Sequence, residues 1–298
     1  MTHLKLYNLP WWLLLLLVPA AALAQSSQSR REITKVYANG SLTSLNITNK
    51  FGNVVVKKSS NRDAKVEITI TTEGNSERTA QEIMDNITIE ETGAPNAVFV
   101  TNIGTIKGNN ENGNRKMKVN YVVTVPAETK LNINNSFGNI DMDDYPGQVT
   151  LIQKFGDLRT GDLPNMPKVN VEFGKYFGKN VTGGNLQFKF STVEIEKLNG
   201  HIQSSFEFCK TTRIMLGSSV SQAGIQTSYS NIEVVLPRNF SGNFDIKTNF
   251  GKLTNNTTII MKDEEENYNK SLFRGVSGKG TVPVKINSNF GKIVLSEQ

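Results

Sequence analysis

The stretch that decides the fold is residues 45–56, which read LNITNKFGNVVV. Three near copies follow in the chain: LNINNSFGNI at 131–140, IKTNFGKL at 246–253 and INSNFGKI at 286–293. In each copy, apolar and polar residues alternate up to a phenylalanine. A period of two is typical of a β-strand with one buried face, so each copy predicts a strand.

Weaker copies of the same pattern extend the set to nine, aligned on an aromatic residue. An aliphatic residue stands four positions before every one of these aromatics. Because the aromatic continues the alternation, we expect the nine to be largely buried. The aligned aromatics are Phe51, Phe137, Phe155, Phe173, Phe190, Phe206, Tyr229, Phe250 and Phe290.

Glycine directly follows most of these aromatics, and the next apolar residue comes three positions after the aromatic. That step breaks the period of two, so the chain must bend to keep both side chains inside. Glycine adopts positive φ without steric cost, which predicts a positive φ at corners such as Gly138 and Gly156. The corner glycines are Gly52, Gly138, Gly156, Gly174, Gly251 and Gly291.

The spacing of the copies indicates the architecture. Between Phe137 and Phe206 the aligned aromatics are 18, 18, 17 and 16 residues apart. A repeat of that length holds two or three short strands and is the unit of a β-solenoid, in which stacked coils share one core. The sequence therefore predicts an all-β protein, a β-solenoid of short strands with glycine corners. One short helix is predicted at residues 76–84, with Ser76 as its cap.

These repeats, together with a strand ending in Val125-Pro126, resemble the bacterial putative adhesin family. That family comprises exported domains of unknown function with Ile-x-Asn-x-Phe-Gly-x-Ile repeats. The resemblance covers roughly residues 33–298. It implies a right-handed β-helix-like fold and an exported location, and the family has no established catalytic residues to carry over. The segment 169–178, with a second Phe177-Gly178, departs from the pattern, so the register is open there.

Residues 1–24 have the features of a secretory signal peptide. They contain Lys5, an apolar run at 11–18 and the small-residue site Ala22-Leu23-Ala24. The apolar run is too short for an ordinary membrane span. Cleavage before Gln25 would place the mature protein in the periplasm, on the outer-membrane surface or outside the cell, without a transmembrane segment.

The rest of the chain is predicted to form one domain. A flexible leader at 25–32 is expected to precede a β-solenoid domain at 33–298. Within that domain the N-terminal β portion covers 33–126 and the repeat coils cover 127–298. An acidic and glycine-rich interruption at 262–280 is predicted to be an exposed loop.

The charge of the chain limits the classes of partner. It contains 33 basic and 27 acidic residues, a formal net charge of +6. Loss of the signal peptide removes only Lys5, and the excess is spread along the chain without a basic run. Such a distribution is typical of a solvated surface, so we expect no nucleic-acid partner. Weak attraction to anionic glycans or lipid headgroups is left open.

Catalytic chemistry has few candidates. The mature chain contains one histidine, His201, and one cysteine, Cys209, and a nucleophilic dyad would need them side by side. Cys209 falls at a repeat position otherwise held by apolar residues, which predicts a small buried hydrophobe. A single cysteine also excludes an internal disulfide. We therefore expect no enzyme activity, no catalytic residues and no cofactor.

Acidic and amide side chains offer a different chemistry. Asp144 and Asp162 each stand seven positions after their aromatic, so stacked coils would bring them together. Two such carboxylates could share a hard cation, whereas solvated turn residues are the alternative. Outward polar rows could instead bind glycans through hydrogen bonds. These rows contain Asn134, Asn170, Gln187, Gln203, Gln226 and Asn287.

Together these patterns favour an exported, non-enzymatic β-solenoid with an interaction or adhesion role at the cell surface or in the periplasm. The expected partner is a glycan or an envelope protein. Two alternatives stay open: a polysaccharide-active β-helix enzyme, and an envelope sensor or assembly factor that binds a protein. A deep groove lined by clustered Asp, Arg and Lys would favour the enzyme, and a smooth polar rod would favour the binder.

Overall fold

The computed structural model describes residues 26–105, 115–264 and 269–298. Within these ranges the protein is almost entirely β, with 22 strands and one α-helix. The strands stack as the coils of a solenoid-like fold, and the all-β prediction is confirmed. The predicted signal peptide at 1–24 lies outside the described residues.

The N-terminal portion contains seven strands and the helix in its described part. They are β1 (Ser27–Tyr37), β2 (Ser44–Lys50), β3 (Val54–Lys58), β4 (Ala64–Gly74), α1 (Glu77–Asp85), β5 (Ile87–Thr92), β6 (Asn96–Ile103) and β7 (Lys116–Val125). β4 pairs antiparallel with both β1 and β7, and β5 pairs antiparallel with β6. The prediction of a flexible leader at 25–32 is corrected, because β1 begins at Ser27 and is paired along its whole length.

The helix α1 forms where the sequence predicts it. Ser76 Oγ accepts the backbone N–H of Thr79 at 3.1 Å, which satisfies one of the free amides at the helix start. The apolar face buries Ala80, Ile83 and Met84, and it packs against β4 and β1. In the described ranges no helix is long and apolar enough to cross a membrane.

The repeat portion contains fifteen further strands. They are β8 (Lys130–Ser136), β9 (Ile140–Met142), β10 (Val149–Lys154), β11 (Leu158–Leu163), β12 (Lys168–Glu172), β13 (Lys175–Lys189), β14 (Thr192–Glu207), β15 (Thr211–Ser228), β16 (Ile232–Leu236), β17 (Gly242–Asn249), β18 (Lys252–Asn256), β19 (Lys262–Asp263), β20 (Lys270–Val276), β21 (Val282–Asn289) and β22 (Lys292–Glu297). The strands β13, β14 and β15 are long because each contributes to two faces of the stack.

Parallel pairing arranges these strands in two continuous rows, one on each side of the aromatic corner. The row before the corner runs β6–β2–β8–β10–β12–β13–β14–β15–β21–β17. The row after it runs β7–β3–β9–β11–β13–β14–β15–β16–β22–β18. The core lies behind both rows, where the apolar side of each strand points inward.

The aliphatic residues four positions before the aromatics form one buried row of this core. Eight of the nine positions agree with the sequence alignment, whereas Ser204 stands where Ile202 is predicted. The row consists of Ile47, Ile133, Leu151, Val169, Leu186, Ser204, Ile225, Ile286 and Ile246.

The last coils do not stack in chain order. β21 lies between β15 and β17, and β22 lies between β16 and β18. The prediction of an exposed loop at 262–280 is wrong for much of that segment, because it contains β19 and β20. β20 pairs antiparallel with β17 and covers its outer edge, which would otherwise present unpaired backbone groups.

Candidate functional site

The corner aromatics lie on the surface in one continuous file, which we call the aromatic ladder. Its residues are 37–52% exposed, so the prediction of largely buried aromatics is wrong for eight of the nine, and Phe206 is buried. In stacking order the ladder consists of Phe51, Phe137, Phe155, Phe173, Phe190, Phe208, Tyr229, Phe290 and Phe250.

The exposure of the ladder follows from its backbone. Every ladder residue has a positive φ, between 49° and 60°. Bulky residues rarely adopt this left-handed conformation. It interrupts the alternation of the strand, so the aromatic side chain turns outward at the position where the alternation predicts an inward one. The chain therefore bends at the aromatic residue itself.

Neighbouring rings of the ladder stack face to face. Their centroids are 4.8–5.0 Å apart and their planes differ by 1–9°. The distance equals the spacing of paired strands, and nine coils give a strip roughly 40 Å long. Stacking contributes about 0.5–1.5 kcal/mol per pair beyond burial of area. It thereby offsets part of the cost of the left-handed backbone, about 1–3 kcal/mol per residue.

Phe208, and not Phe206, is the ladder residue of its coil. Phe206 is 1% exposed and pairs in register with Phe188. With Phe208 in the ladder, the spacings from Phe137 onward become 18, 18, 17 and 18 residues, so the coils are nearly uniform. The alignment missed this because Ser204 stands four positions before Phe208, whereas the aliphatic Ile202 stands four positions before Phe206. The motif Phe-x-Phe, present at 188–190 and again at 206–208, is the signal that could have found it.

The corner glycines permit close approach between coils. A Cβ on Gly138 would lie 2.0 Å from the carbonyl oxygen of Gly52, and one on Gly156 would lie 1.9 Å from that of Gly138. The predicted positive φ at Gly138 and Gly156 is wrong, because the positive φ belongs to the preceding aromatic. These positions are glycine because the backbone of the next coil occupies the space of a side chain.

A second file of side chains, which we call the inner column, points into the core two positions before each ladder residue. In the first coils it is a chain of buried amides. Asn49 Nδ2 donates to Asn135 Oδ1 at 3.0 Å, and Asn135 Nδ2 donates to Gln153 Oε1 at 3.1 Å. Thr101 Oγ1 donates to Asn49 Oδ1 at 3.0 Å, and Gln153 Nε2 ends the chain on backbone carbonyls. Each buried amide is therefore hydrogen-bonded.

Further along, the inner column becomes apolar at Val171, Phe188 and Phe206. Phe188 stacks on Phe206 with ring centroids 5.2 Å apart. With no amide available, the residue after the ladder aromatic supplies the donor. Ser191 Oγ donates to the carbonyl of Lys189 at 2.7 Å and to that of Val171 at 3.2 Å. The hydroxyl of Ser191 thus donates to buried carbonyl groups, as the amides of the inner column do in the first coils.

Cys209 occupies the same corner position and is 1% exposed, as predicted. Its Sγ lies 3.5 Å from the Phe188 carbonyl oxygen, and its backbone N–H donates to Ser230 Oγ at 2.8 Å. Burial raises the pKa of the Cys209 thiol, so the neutral form is favoured over the reactive thiolate. In the described part of the chain the His201 ring contacts Gln203, at 3.4 Å, and not Cys209.

Lysines flank the ladder on the side that follows the corner. They stand two positions after four of the aromatics and are exposed. The acidic residue at this position is Asp157, which follows Phe155. Among the described residues none of these four ammonium groups forms an ion pair. We call this set the lysine row, and it consists of Lys175, Lys210, Lys292 and Lys252.

The opposite flank of the ladder carries two ion pairs and one free lysine. One position before the aromatics, Lys154 Nζ lies 3.2 Å from Glu172 Oε2, and Lys189 Nζ lies 2.8 Å from Glu207 Oε2. Each pair joins two adjacent coils. Lys50, directly before Phe51, is exposed and forms no ion pair among the described residues, so free positive charge lies on both sides of the ladder.

The outward polar row that the sequence predicts exists with one change. Ser205 takes the place of Gln203, through the same two-residue shift that brings Phe208 into the ladder. Two adjoining depressions of about 220 Å³ and 290 Å³ lie along this row, and both are lined by Asn287 and Asn289. In register the row consists of Asn134, Ile152, Asn170, Gln187, Ser205, Gln226, Asn287 and Lys247.

Asp144 and Asp162 lie together, as their spacing indicates. Asp144 Oδ1 accepts the backbone N–H of Asp162 at 2.8 Å. The Lys179 ammonium lies 3.1 Å from Asp162 Oδ1 and 3.7 Å from Asp144 Oδ1. A hydrogen bond to Asp162 and the charge of Asp144 raise the pKa of Lys179. The chain's own lysine thus supplies a positive charge here, and within the described ranges no three His, Cys, Asp or Glu residues are arranged to hold a metal ion.

The geometry defines a β-solenoid-like protein with an exposed aromatic ladder. No protein family and no curated protein match the chain. Solved structures similar to it include a putative cell adhesion protein from Clostridium sporogenes, with 11% identity and a TM-score of 0.27, covering 91% of this chain and 100% of that chain. A putative adhesin from Bacteroides fragilis has 12% identity and a TM-score of 0.40, covering 90% of this chain and 98% of that chain. A putative adhesin from Parabacteroides distasonis has 10% identity and a TM-score of 0.31, covering 90% of this chain and 97% of that chain. The fold assignment rests on the register of the strands.

Proposed function

We propose that this chain is an exported, non-enzymatic protein that adheres to an extended partner through the aromatic ladder. The observation that carries the proposal is the ladder itself, nine aromatic residues 37–52% exposed in an unbroken file. Contiguous apolar surface of this kind marks interaction sites in proteins, because water solvates it poorly. The ladder runs the length of the coils, so it suits an elongated partner.

The rigidity of the ladder supports this role. Each ring is held by a left-handed backbone, by stacked neighbours and by the parallel strands of its coil. A surface that is already ordered loses little conformational entropy when a partner binds. The same contacts along a flexible loop would have to offset that loss first.

The alternative of an enzyme would use the surface where Asp, Arg and Lys cluster. A depression of about 600 Å³ there is lined by residues that include Asp143, Asp144, Arg159 and Lys179. Of its two carboxylates, that of Asp144 lies 3.7 Å from the Lys179 ammonium. A glycosidase instead places two carboxylates across the bond to be cut. Product release from a panel of polysaccharides, lost on Asp144→Ala, would contradict the non-enzymatic proposal.

The test of the adhesive role compares the wild-type chain with a ladder variant. That variant is Phe155→Asn/Phe173→Asn/Phe190→Asn, because asparagine tolerates a left-handed backbone and preserves the corner. A matched control makes the same change at exposed apolar residues outside the ladder. The control substitutions are Val36→Asn, Ile260→Asn and Val276→Asn.

Beads that carry each protein are incubated with fragments of bacterial cell envelope, after circular dichroism has shown that all three proteins are folded. We expect saturable adhesion of the wild type and the control, and a loss of about tenfold or more in affinity for the ladder variant. Equal adhesion of wild type and ladder variant would contradict the proposal, as would absence of adhesion by the wild type.

A further inference from the structure

We propose that the ladder and the lysine row together bind a linear acidic polysaccharide that lies parallel to the stacking axis. This inference rests on the proposed function and names the class of ligand for the same surface. Three properties of the surface carry it: the part of each ring that faces solvent, the position of the free charges, and the repeat distance.

The ladder presents ring edges to solvent. Because neighbouring rings are within 9° of parallel and stack at 4.8–5.0 Å, every inner ring has another ring stacked on each of its faces. An aromatic ring has a negative face and a positive edge. The exposed edges attract electronegative atoms, and stacking reduces the area of ring face that is open to cations. Oxygen-rich, anionic ligands fit this surface better than cationic ones.

The lysine row adds full charges of the same sign. Its members follow Phe173, Phe208, Phe290 and Phe250, and in the described part of the chain their ammonium groups are free of ion pairs. On the other flank Lys154 and Lys189 are paired with glutamates, and Lys50 is free of ion pairs in the described part of the chain. Positive charge is therefore in excess beside the ladder, and an anionic chain can lie along it.

The repeat distance selects among anionic polymers. One ladder step is 4.8–5.0 Å, whereas an extended peptide advances by about 3.3 Å per residue and a stacked nucleic-acid strand by about 3.4 Å per nucleotide. Neither polymer would meet successive rings in the same way. A chain of linked pyranose units, whose step is about the length of one sugar ring, comes closer to the ladder step than either of these polymers.

The lysine row places positive charge on four coils of the stack. Lys175, Lys292 and Lys252 stand at paired positions of the strands, whereas Lys210 lies one residue before Thr211, which pairs with Thr192. A long acidic chain along the stack can contact these lysines through its carboxylates. On the other flank, Ser205, Gln226 and Asn287 of the polar row offer hydrogen bonds to sugar hydroxyls.

Polygalacturonate is the probe, and isothermal titration calorimetry measures its binding to the folded chain. The test variant is Lys175→Gln/Lys210→Gln/Lys292→Gln. A matched control, Lys57→Gln/Lys197→Gln/Lys279→Gln, removes the same charge from exposed lysines outside the row. A neutral polysaccharide, dextran, and vesicles of phosphatidylcholine with phosphatidylglycerol serve as comparison ligands.

We expect the wild type and the control to bind polygalacturonate with similar affinity, and the lysine-row variant to bind about tenfold more weakly or worse. Dextran and the vesicles should bind more weakly than polygalacturonate. Equal losses in both lysine variants would mean non-specific attraction and would overturn the inference. Preference for vesicles, or no binding of polygalacturonate, would overturn it as well. Suppose that polygalacturonate binding fails while envelope fragments still bind the wild type better than the ladder variant. Then only the assignment of an acidic polysaccharide fails. If the envelope fragments also show no ladder-dependent adhesion, the proposed function fails too.

Discussion

The inner column changes its chemistry along the stack, while the aromatic ladder above it does not. Beneath the first coils the column is a chain of buried amides, Asn49, Asn135 and Gln153. Beneath later coils it is a stack of Phe188 on Phe206. In both parts the ladder residues keep positive φ and the same ring spacing.

The comparison shows what the corner requires. Carbonyl groups turn inward at each corner, and buried carbonyls must be hydrogen-bonded. Where the column is polar, amides supply the donors and the position after the aromatic is glycine, as at Gly156. Beside Phe188 and Phe206, where the column is apolar, Ser191 and Cys209 supply the donor from the corner itself. The donor therefore comes from the column residue in the first coils and from the residue after the aromatic in these two coils.

The largest expected effect comes from adding a methyl group to a glycine corner of the amide part. In Gly156→Ala the new Cβ would overlap the Gly138 carbonyl, because the two coils are in backbone contact. We expect the free energy of unfolding to fall by about 3 kcal/mol or more, measured by urea denaturation. Ser191→Ala, at a corner that already holds a Cβ, should cost about 1 kcal/mol through lost hydrogen bonds. Equal losses of stability in Gly156→Ala and Ser191→Ala would contradict the distinction between a glycine corner in backbone contact and a serine corner.

The next effect tests the amide chain directly. Asn135→Leu removes the acceptor of Asn49 Nδ2 and the donor to Gln153 Oε1. Asn49 keeps its bond to Thr101, whereas Gln153 Oε1 is left unpaired. We expect a loss of about 2 kcal/mol in the free energy of unfolding, since unpaired buried amides carry their full desolvation cost. Asn134→Leu, one residue earlier on the outer face, is the control and should change it by less than about 0.5 kcal/mol. A tolerated Asn135→Leu would show that the amide chain is dispensable.

Each of the two parts of the stack contains a buried tyrosine, so the loss of stability at alkaline pH tests the burial of both. Tyr121 bonds Thr101 at the start of the amide chain, and Tyr176 stacks on Phe188. Burial raises the pKa of each to about 12, above about 10 for tyrosine in an unfolded chain. Stability from the neutral phenols is therefore complete below pH of about 10 and is lost as the pH rises through about 12.

Denaturation series between neutral and alkaline pH check this expectation. Phenylalanine cannot ionise, so Tyr176→Phe should lose less stability than the wild type as the pH rises. Tyr121→Phe should share the weaker pH dependence. Both variants should start from a lower stability at neutral pH, because Tyr121 loses its hydrogen bond to Thr101 and Tyr176 loses its hydrogen bond to Thr160. Parallel curves for wild type and both variants would contradict the burial of these phenols.

The smallest effect is expected at Cys209. A serine there would reproduce the corners at Ser191 and Ser230, with a stronger donor in place of the thiol. We expect Cys209→Ser to change the free energy of unfolding by less than about 1 kcal/mol. In the wild type, a thiol reagent should react with Cys209 only as fast as the protein unfolds, because burial raises the pKa of the thiol. Rapid labelling of the folded protein would place Cys209 on the surface.

Much of the fold could be predicted from periodicity. The strands, the single helix with its Ser76 cap and most of the coil register follow from the alternation of apolar and polar residues. The orientation of the aromatics could not. Alternation gives the side of a strand on which a residue lies, and it fails at a residue whose backbone is left-handed, as at Phe155. Aromatic residues adopt that conformation so seldom that the pattern assigned the bend to glycine.

The sequence also predicted only part of the candidate site, because the outward orientation of the aromatics was not predicted. The pairing of Asp144 with Asp162 was predictable, because both stand at one position of adjacent coils. Lys179 was not, since it directly follows the segment 169–178, whose register the sequence left open. The lysine row could not be predicted either. Its residues are far apart in sequence, and they form a candidate binding surface only because the ladder beside them is exposed.

Hydroxyl-radical footprinting read by mass spectrometry tests the exposed ladder most directly. The pairs Phe188/Phe190 and Phe206/Phe208 place a core ring and a ladder ring two residues apart, so each pair controls for local sequence and digestion. Phe190 and Phe208 are 48% and 42% exposed, whereas Phe188 and Phe206 are 0% and 1% exposed. We therefore expect Phe190 and Phe208 to be oxidised several times faster than their partners in the folded protein, and at equal rates after unfolding. Faster oxidation of Phe188 and Phe206, or protection of all four rings, would contradict the ladder.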